Sequence, residues 1–322
     1  MRALLCPNSL KGVLTAAEAA AALAEGFRRV PGWEAEELPV ADGGEGTAEV
    51  LHRVLGGAWH EADVSDPLGR PVTARFLVTS GGMAVLDAAE AVGLGLLAVS
   101  ERDPLIASSS GLGELLEAVL AIRPLSVLVG LGGTATVDGG AGLLTTLSSW
   151  PNAVPLRVAC DVRNPLLGDR GAARVFGPQK GASPQGVEEL ERRLAEMVQL
   201  RAFAHLRGAG AGGGLGAALA ALGGTLEEGA ELVLDAVGFD RKASGADLVV
   251  TGEGRVDATT FEGKAPGAVR ARCDRLGVRC VLFGGQVASE MDDAIALSGN
   301  PHHALADMAS LGELLGSRLP DS

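Results

Sequence analysis

Ala3-Leu4-Leu5-Cys6-Pro7-Asn8-Ser9-Leu10-Lys11-Gly12 is an apolar run that stops at a proline and gives way to a polar turn ending in glycine. Four apolar residues without alternation suit a strand buried on both faces of a parallel sheet. Just downstream, Thr15 with Glu18 three residues later has the form of a capping box, and the alanine-rich run from Ala16 to Val30 predicts a helix. Strand, polar loop and helix therefore make one unit, and working outward the unit recurs. Glu36 to Val40 predicts a second strand, followed by Ala41-Asp42-Gly43-Gly44-Glu45-Gly46-Thr47 and a helix as far as Leu55. Met83 to Asp87, Ser126 to Gly130, Leu156 to Asp161, Ala246 to Thr251 and Val278 to Phe283 predict further buried strands, with a short last one from Ala294 to Leu297. Pro184 to His205 reads as a charged amphipathic helix, Leu215 to Leu222 and Ala265 to Leu276 as two more.

Alternating strands and helices with non-alternating apolar strands predict an α/β protein of parallel sheets covered by helices. The first strand–helix units match the last ones in style, whereas the middle is different, with its glycine loops and long charged helix. This predicts two α/β domains, a flavodoxin- or Rossmann-like parallel-sheet domain made of residues 1–60 plus 236–322 and a second α/β domain, 61–235, inserted into it. A chain of 322 residues is long enough for two such cores.

A formal net charge of −13 argues against nucleic acid or an anionic membrane as partner, since both require a basic face. Cations that meet an anionic ligand must then be few and specifically placed. Cys6, Cys160, Cys273 and Cys280 are scattered without CxxC spacing, which predicts neither a disulfide framework nor a cysteine zinc site, and a reducing, cytoplasmic setting. The apolar start breaks at Pro7, too early for a signal peptide, and no uncharged run is long enough to span a bilayer. The oligomeric state is not legible.

Ligands of parallel sheets sit beyond the carboxyl ends of the strands, and the polar glycine loops fall there by sequence order. Ser9 and Lys11 follow the first strand just before a helix N-terminus, a place that favours an anion. Asp42 and Glu45 flank Gly43-Gly44, and Asp42 can take a proton from an alcohol or hold Mg²⁺ through water. Gly132 to Gly142 packs five glycines, Thr134, Thr136 and Asp138 into eleven residues, a composition suited to a backbone anion nest. Asp161 ends a strand as base or metal ligand, and Lys180 stands in a Pro/Gly-rich loop within reach of a phosphate. Gly208, Gly210 and Gly213 fit GxGxxG, but a helical segment precedes them where a dinucleotide fingerprint needs a strand, leaving a phosphate loop or tight helix packing. Glu253, Asp257 and Lys264 gather between a strand end and a helix start. No GxxxxGK[ST] occurs, and no His, Ser or Cys sits in a nucleophile context. Anion cradles, cations or Mg²⁺, and a carboxylate for an acceptor hydroxyl are the inventory of phosphoryl transfer.

Together these loops resemble the bacterial glycerate kinase family. The matching stretches, in order, are PNSLKG (7–12), ADGGEGT (41–47), DPLGRPV (66–72), GLGGTATVDGGAG (130–142), ACDVRNPL (159–166), FGPQKGA (176–182), GAGAGGGLG (208–216) and TGEGRVDATTFEGKAP (251–266). The resemblance implies two α/β domains with a cleft between them, the first discontinuous. It further implies ATP-dependent phosphorylation of D-glycerate, usually to 2-phosphoglycerate, with ATP and Mg²⁺ as cofactors and D-glycerate as the small-molecule partner. On that footing Asp42, Asp161 and Lys11 take catalytic roles. Either aspartate can be the base while the other helps hold Mg²⁺, Asp161 being the named metal ligand. Ser9, Gly43, Gly44, Glu45, Thr134, Thr136, Asp138, Gly139, Gly140, Lys180, Glu253, Asp257 and Lys264 line the substrate or ATP. The chain departs from the family at Asn8, where an aspartate is usual, and in a shorter segment after Gly142. A non-catalytic organic-acid-binding relative and a nucleotide-binding oxidoreductase are the alternatives.

Overall fold

The computed structural model describes residues 1–160, 162–289, 291 and 293–318. In chain order the strands are β1 (Arg2–Pro7), β2 (Glu34–Glu37), β3 (Ala58–Ser65), β4 (Pro71–Val78), β5 (Met83–Asp87), β6 (Ser126–Gly130), β7 (Leu156–Cys160), β8 (Thr225–Glu228), β9 (Leu248–Val256), β10 (Cys280–Val287) and β11 (Ala294–Ala296). They form two sheets, one in each of two compact units: Met1–Asp42 with the described residues from Ala230 on, and Gly43–Gly229.

In the first unit the order is β2-β1-β9-β10-β11, parallel throughout. Counted within the unit this is 2-1-3-4-5, the flavodoxin-like doubly wound order, whose switch point lies between β1 and β9. Ala3 to Cys6 are completely buried at the centre, as their apolar run demands. The helix Ala16–Arg28 starts on a complete capping box: Thr15 Oγ1 accepts from Glu18 N–H at 3.2 Å, and Glu18 Oε2 accepts from Thr15 N–H at 2.8 Å. Such a cap stabilises by about 1 kcal/mol. This helix lies against Ala304–Arg318 so closely that a Cβ on Gly26 would collide with Ala309 O, and one on Gly312 with Leu23 O. Leu5, Leu23, Phe27, Val250, Phe283 and Met308 fill the core.

Two strands run further than the sequence pattern predicts. β9 continues past Thr251 through Gly252-Glu253-Gly254, and β10 continues past Phe283. The glycines read as loop markers are strand residues, because β9 and β10 approach too closely for a side chain: Gly252 is paired with Phe283, and a Cβ there would strike Phe283 O. β2 ends at Glu37, and the chain then runs beside β1 through Leu38 N–H to Leu5 O and Val40 N–H to Pro7 O, at 2.8 and 3.0 Å.

In the second unit the order is β3-β4-β5-β6-β7-β8. β5 to β8 are parallel, but β3–β4 and β4–β5 are antiparallel. The sequence predicts only parallel strands, so this edge is a correction. Its signal is the half-exposed character of β3 and β4 joined by a five-residue turn. Asp66 builds that turn, its Oδ1 accepting from Leu68 N–H at 2.8 Å and Arg70 N–H at 2.9 Å. The helix Thr47–Leu55 falls in this unit, against β4 and β5. The borders therefore follow Asp42 and Gly229, where the sequence pattern sets them at 60 and 235. The helix expected from Pro184 to His205 stops at Glu196. Leu112, Leu115, Val127, Val129, Val158 and Leu219 are central to this core. Among the described residues no helix is long and apolar enough to cross a membrane.

Candidate active site

At the switch point of the first unit, β1 delivers Asn8. Its backbone N–H donates to Gly252 O of β9 at 2.9 Å, and its side chain is buried. Asn8 Nδ2 donates to Asp42 Oδ2 at 3.0 Å, and Asn8 Oδ1 accepts from Ser9 N–H at 2.7 Å. Asp42 is itself buried, 7% exposed, so its carboxylate must rely on fixed donors rather than bulk water. Sequence order alone separates these two residues by 34 positions; the parallel run beside β1 brings them together.

Glu253 stands on β9 beside them. Its Oε1 accepts from Thr260 Oγ1 at 2.8 Å, and both its oxygens lie 3.3 Å from Lys264 Nζ. Burial pushes the Glu253 carboxyl above its ordinary range, the Lys264 ammonium and the Thr260 hydroxyl pull it part of the way back, and the nearby Asp42 charge pushes it up again. Lys264 is the N-cap residue of the helix Ala265–Leu276, with proline in the first turn as the sequence predicts. Ser9 is half-buried and Lys11 is exposed on the loop after β1. Asp257 does something more local: it caps the short turn Ala258–Phe261, its Oδ1 accepting from Thr259 N–H at 3.0 Å. The Thr259 hydroxyl holds its carboxyl below the usual range.

In the second unit the predicted glycine loops divide by purpose. Gly43 has φ +85°, and a Cβ there would be 2.7 Å from Ala159 Cβ and 2.9 Å from Gly229 Cα. Gly44 backs onto Gly132, and Glu45 is exposed. Lys180 is buried, and its Nζ donates to Thr134 Oγ1 at 3.1 Å and to Thr136 O at 2.8 Å, so it fastens the loop from inside. Asp138 links the starts of two helices, accepting from Ser109 Oγ at 2.7 Å and from Gly140 N–H at 3.0 Å. Gly139 and Gly140 pack tightly against Met197 and Ala218, and Gly213 against Thr136 O. The Gly208 to Gly216 loop is thus a packing device for the Thr136–Gly140 loop, the second of the two readings its sequence leaves open.

What stays available in this loop is the backbone of Gly132, Gly133 and Thr134, whose N–H groups have no partner among the described residues. Three successive free donors with a lysine-braced threonine fit an oxyanion such as a phosphate. No group of three or more His, Cys, Asp or Glu residues suited to a metal occurs among the described residues. Mg²⁺ in a phosphate complex needs only one or two protein carboxylates, and the hard oxygen donors Asp42 and Glu253 are of the right kind. Asp161 lies outside the described residues. Burial pushes the Cys6 thiol well up, so it is no nucleophile.

Sequence reasoning missed Asp87. This buried carboxylate, at the end of β5, accepts from Gly46 N–H at 2.8 Å and from Ala48 N–H at 3.4 Å, anchoring the start of the helix Thr47–Leu55 directly after the Gly43–Glu45 turn. Burial pushes its carboxyl up to about 7, more than these hydrogen bonds restore. An aspartate closing an apolar run was the available signal.

A flavodoxin-like unit with a buried carboxylate pair at its switch point, and a second α/β unit with a braced glycine loop, together define a phosphotransferase-like α/β protein. The profile of the Glycerate kinase family matches residues 3–150 and 145–309, and the chain belongs to that family. It is 38% identical to a glycerate kinase of Bacillus subtilis (strain 168), over 90% of this chain and 86% of the relative. It is also 38% identical to a glycerate 2-kinase of Escherichia coli (strain K12), over 83% and 80%. A crystal structure described as glycerate kinase 2 from Salmonella typhimurium LT2 superposes with TM-score 0.82 at 34% identity, covering 98% of this chain and 97% of that one.

Proposed function

We propose that this chain phosphorylates D-glycerate with ATP, giving 2-phosphoglycerate and ADP. The observation that carries the reading is the buried Asp42 carboxylate, fixed by Asn8 next to Glu253 and Lys264, in a member of the glycerate kinase family. The acceptor hydroxyl gives its proton to Asp42, its oxygen forms the new bond to the γ-phosphorus, and the bond from that phosphorus to ADP breaks. Asn8 holds Asp42 in one orientation, so the carboxylate does not reorganise as the proton arrives. Lys264, oriented by Glu253, and the exposed Lys11 supply positive charge for anionic oxygens, Lys11 for the acid's carboxylate with help from Ser9. The Gly132, Gly133 and Thr134 N–H groups, braced through Lys180, hold phosphate oxygens, and Gly43, Gly44 and Glu45 shape the turn after Asp42. Mg²⁺, when bound with ATP, neutralises charge on the phosphates; Asp42, Glu253 and Asp161 are the carboxylates offered to it. Thr136, Asp138, Gly139, Gly140 and Asp257 act by keeping these loops in shape. ATP use, and cysteines without CxxC spacing, fit a reducing, cytoplasmic setting.

The test is ADP release with Mg·ATP in the presence and absence of D-glycerate, with the phosphate position of the product read by NMR. Glycerate-dependent release and 2-phosphoglycerate are expected. Tight binding of the acid by folded protein without turnover overturns the reading in favour of a non-catalytic binding protein.

A further inference from the structure

The Arg102 side chain makes no hydrogen bond or ion pair among the described residues. Its Nε is buried and meets no acceptor among the described residues. Neither flanking carboxylate serves it. Glu101 accepts from Arg70 Nη1 at 2.7 Å, and Asp103 Oδ1 accepts from Leu105 N–H at 2.9 Å. The contrast within this chain is Arg272, which is buried and whose guanidinium reaches Glu231, Asp235 and Asp240 at 2.5, 2.6 and 3.1 Å. A guanidinium carries five donors in a rigid fork and cannot lose its charge, so leaving one half-buried and unpaired is unfavourable unless something else supplies the acceptors.

Its place in the fold says what that something is. The segment carrying Arg102 is tied at one end to the braced glycine loop and at the other to Gly181, next to the lysine that braces it. At one end Leu94 N–H donates to Gly133 O at 2.7 Å. At the other, the Arg102 backbone packs on Gly181, where φ is +104° and a Cβ would strike Arg102 O. Gly181 directly follows Lys180, the residue that fastens Thr134 and Thr136. Arg102 therefore sits on a segment fastened beside Gly133 at one end and beside Lys180 at the other, the two residues that frame the N–H groups of Gly132, Gly133 and Thr134 left without a partner among the described residues.

We infer that Arg102 is an anion-binding residue whose guanidinium takes a planar pair of oxygens, either the carboxylate of the hydroxy acid or a phosphate of the nucleotide. Only the identity of these two anions rests on the proposed reaction; the unpaired guanidinium does not.

Calorimetric titration of the full-length protein with D-glycerate, with ADP and with inorganic phosphate tests this, in wild type, Arg102→Lys and Arg102→Ala. In Arg102→Ala at least a tenfold loss of affinity is expected, partly recovered in Arg102→Lys because a point charge replaces the fork. Loss confined to D-glycerate makes the carboxylate the partner; loss for ADP and phosphate makes it the phosphate. The unfolding midpoint of ligand-free Arg102→Ala should hold or rise, since no native pair is broken, and a clear fall would point to a structural role and overturn the inference. Affinities for all three probes within twofold of wild type also overturn it. Wild-type protein that binds inorganic phosphate through Arg102 but neither D-glycerate nor ADP keeps the site and overturns the kinase reading, and wild-type protein that binds none of the three overturns both.

Discussion

Asn8 offers its amide to one oxygen of Asp42, and both side chains are buried, so the pair can be taken apart one group at a time. Asp42→Asn removes the proton acceptor and should lower kcat by about 10²- to 10⁴-fold with the circular dichroism spectrum unchanged. Asn8→Ala leaves the acceptor but frees its orientation, and should lower kcat about tenfold with little change in KM. Near-normal turnover in Asp42→Asn would remove the carboxylate-base role. Asp87 carries a different prediction. Its proton is held more tightly in the folded state than in the unfolded one, where the value is near 3.8. The folded state is thus favoured most below that value and loses the advantage as pH climbs through about 7. The loss is at most about 4 kcal/mol over that window. Denaturant unfolding between these pH values should show this fall in wild type and a flatter profile in Asp87→Asn; parallel profiles would contradict it. At this scale the sequence reveals polar residues at strand ends better than which of them meet. Asp42 was legible from its glycine neighbours, whereas its amide partner lies 34 residues away and Asp87 reads as the tail of an apolar strand.

Among the elements, the helices Ala16–Arg28 and Ala304–Arg318 meet backbone to backbone at Gly26 and Gly312. Alanine favours a helix interior over glycine by about 1 kcal/mol. Here the added methyl must push a carbonyl oxygen away, and overpacking of that kind costs about 1–3 kcal/mol. Gly26→Ala should therefore lower the denaturation midpoint despite its better propensity, and a raised midpoint would show that the helices separate freely. Such glycines explain where sequence reading succeeded and failed. Met83–Asp87, Ser126–Gly130 and Ala265–Leu276 were legible to the residue, because apolar runs and a proline in the first turn are local signals. The ends of β9 and β10 were not, since a glycine that admits a neighbouring strand is written the same way as a glycine that turns the chain. β3 and β4 were hidden because half-exposed strands dilute the apolar signal.

Over the whole molecule, the sequence conveyed an α/β chain with one part discontinuous, since strand–helix units of one style open and close it. It did not convey the borders, because the Gly43–Glu45 turn and the helix after it read as part of the first unit although the turn's packing partners, Ala159, Gly132 and Asp87, all belong to the other. Each unit has its own sheet and its own apolar core. Residues 43–229 form one unbroken stretch, so this fragment expressed alone should unfold in a single cooperative transition and show protected amides in β5 to β7 by hydrogen exchange. A fragment without protection would mean that its core depends on the remaining chain. The two ends of the stretch touch, Gly43 lying against Gly229 Cα. That closeness sets an order on the ribosome. The inner unit can close and complete itself while β1, the central strand of the outer sheet, still waits with one edge bare for β9. At about 5–20 residues per second the wait lasts on the order of ten seconds or longer. The nascent chain must shield this apolar strand through that interval, and translation speed across the middle of the message becomes a determinant of how much finished enzyme each round of synthesis delivers.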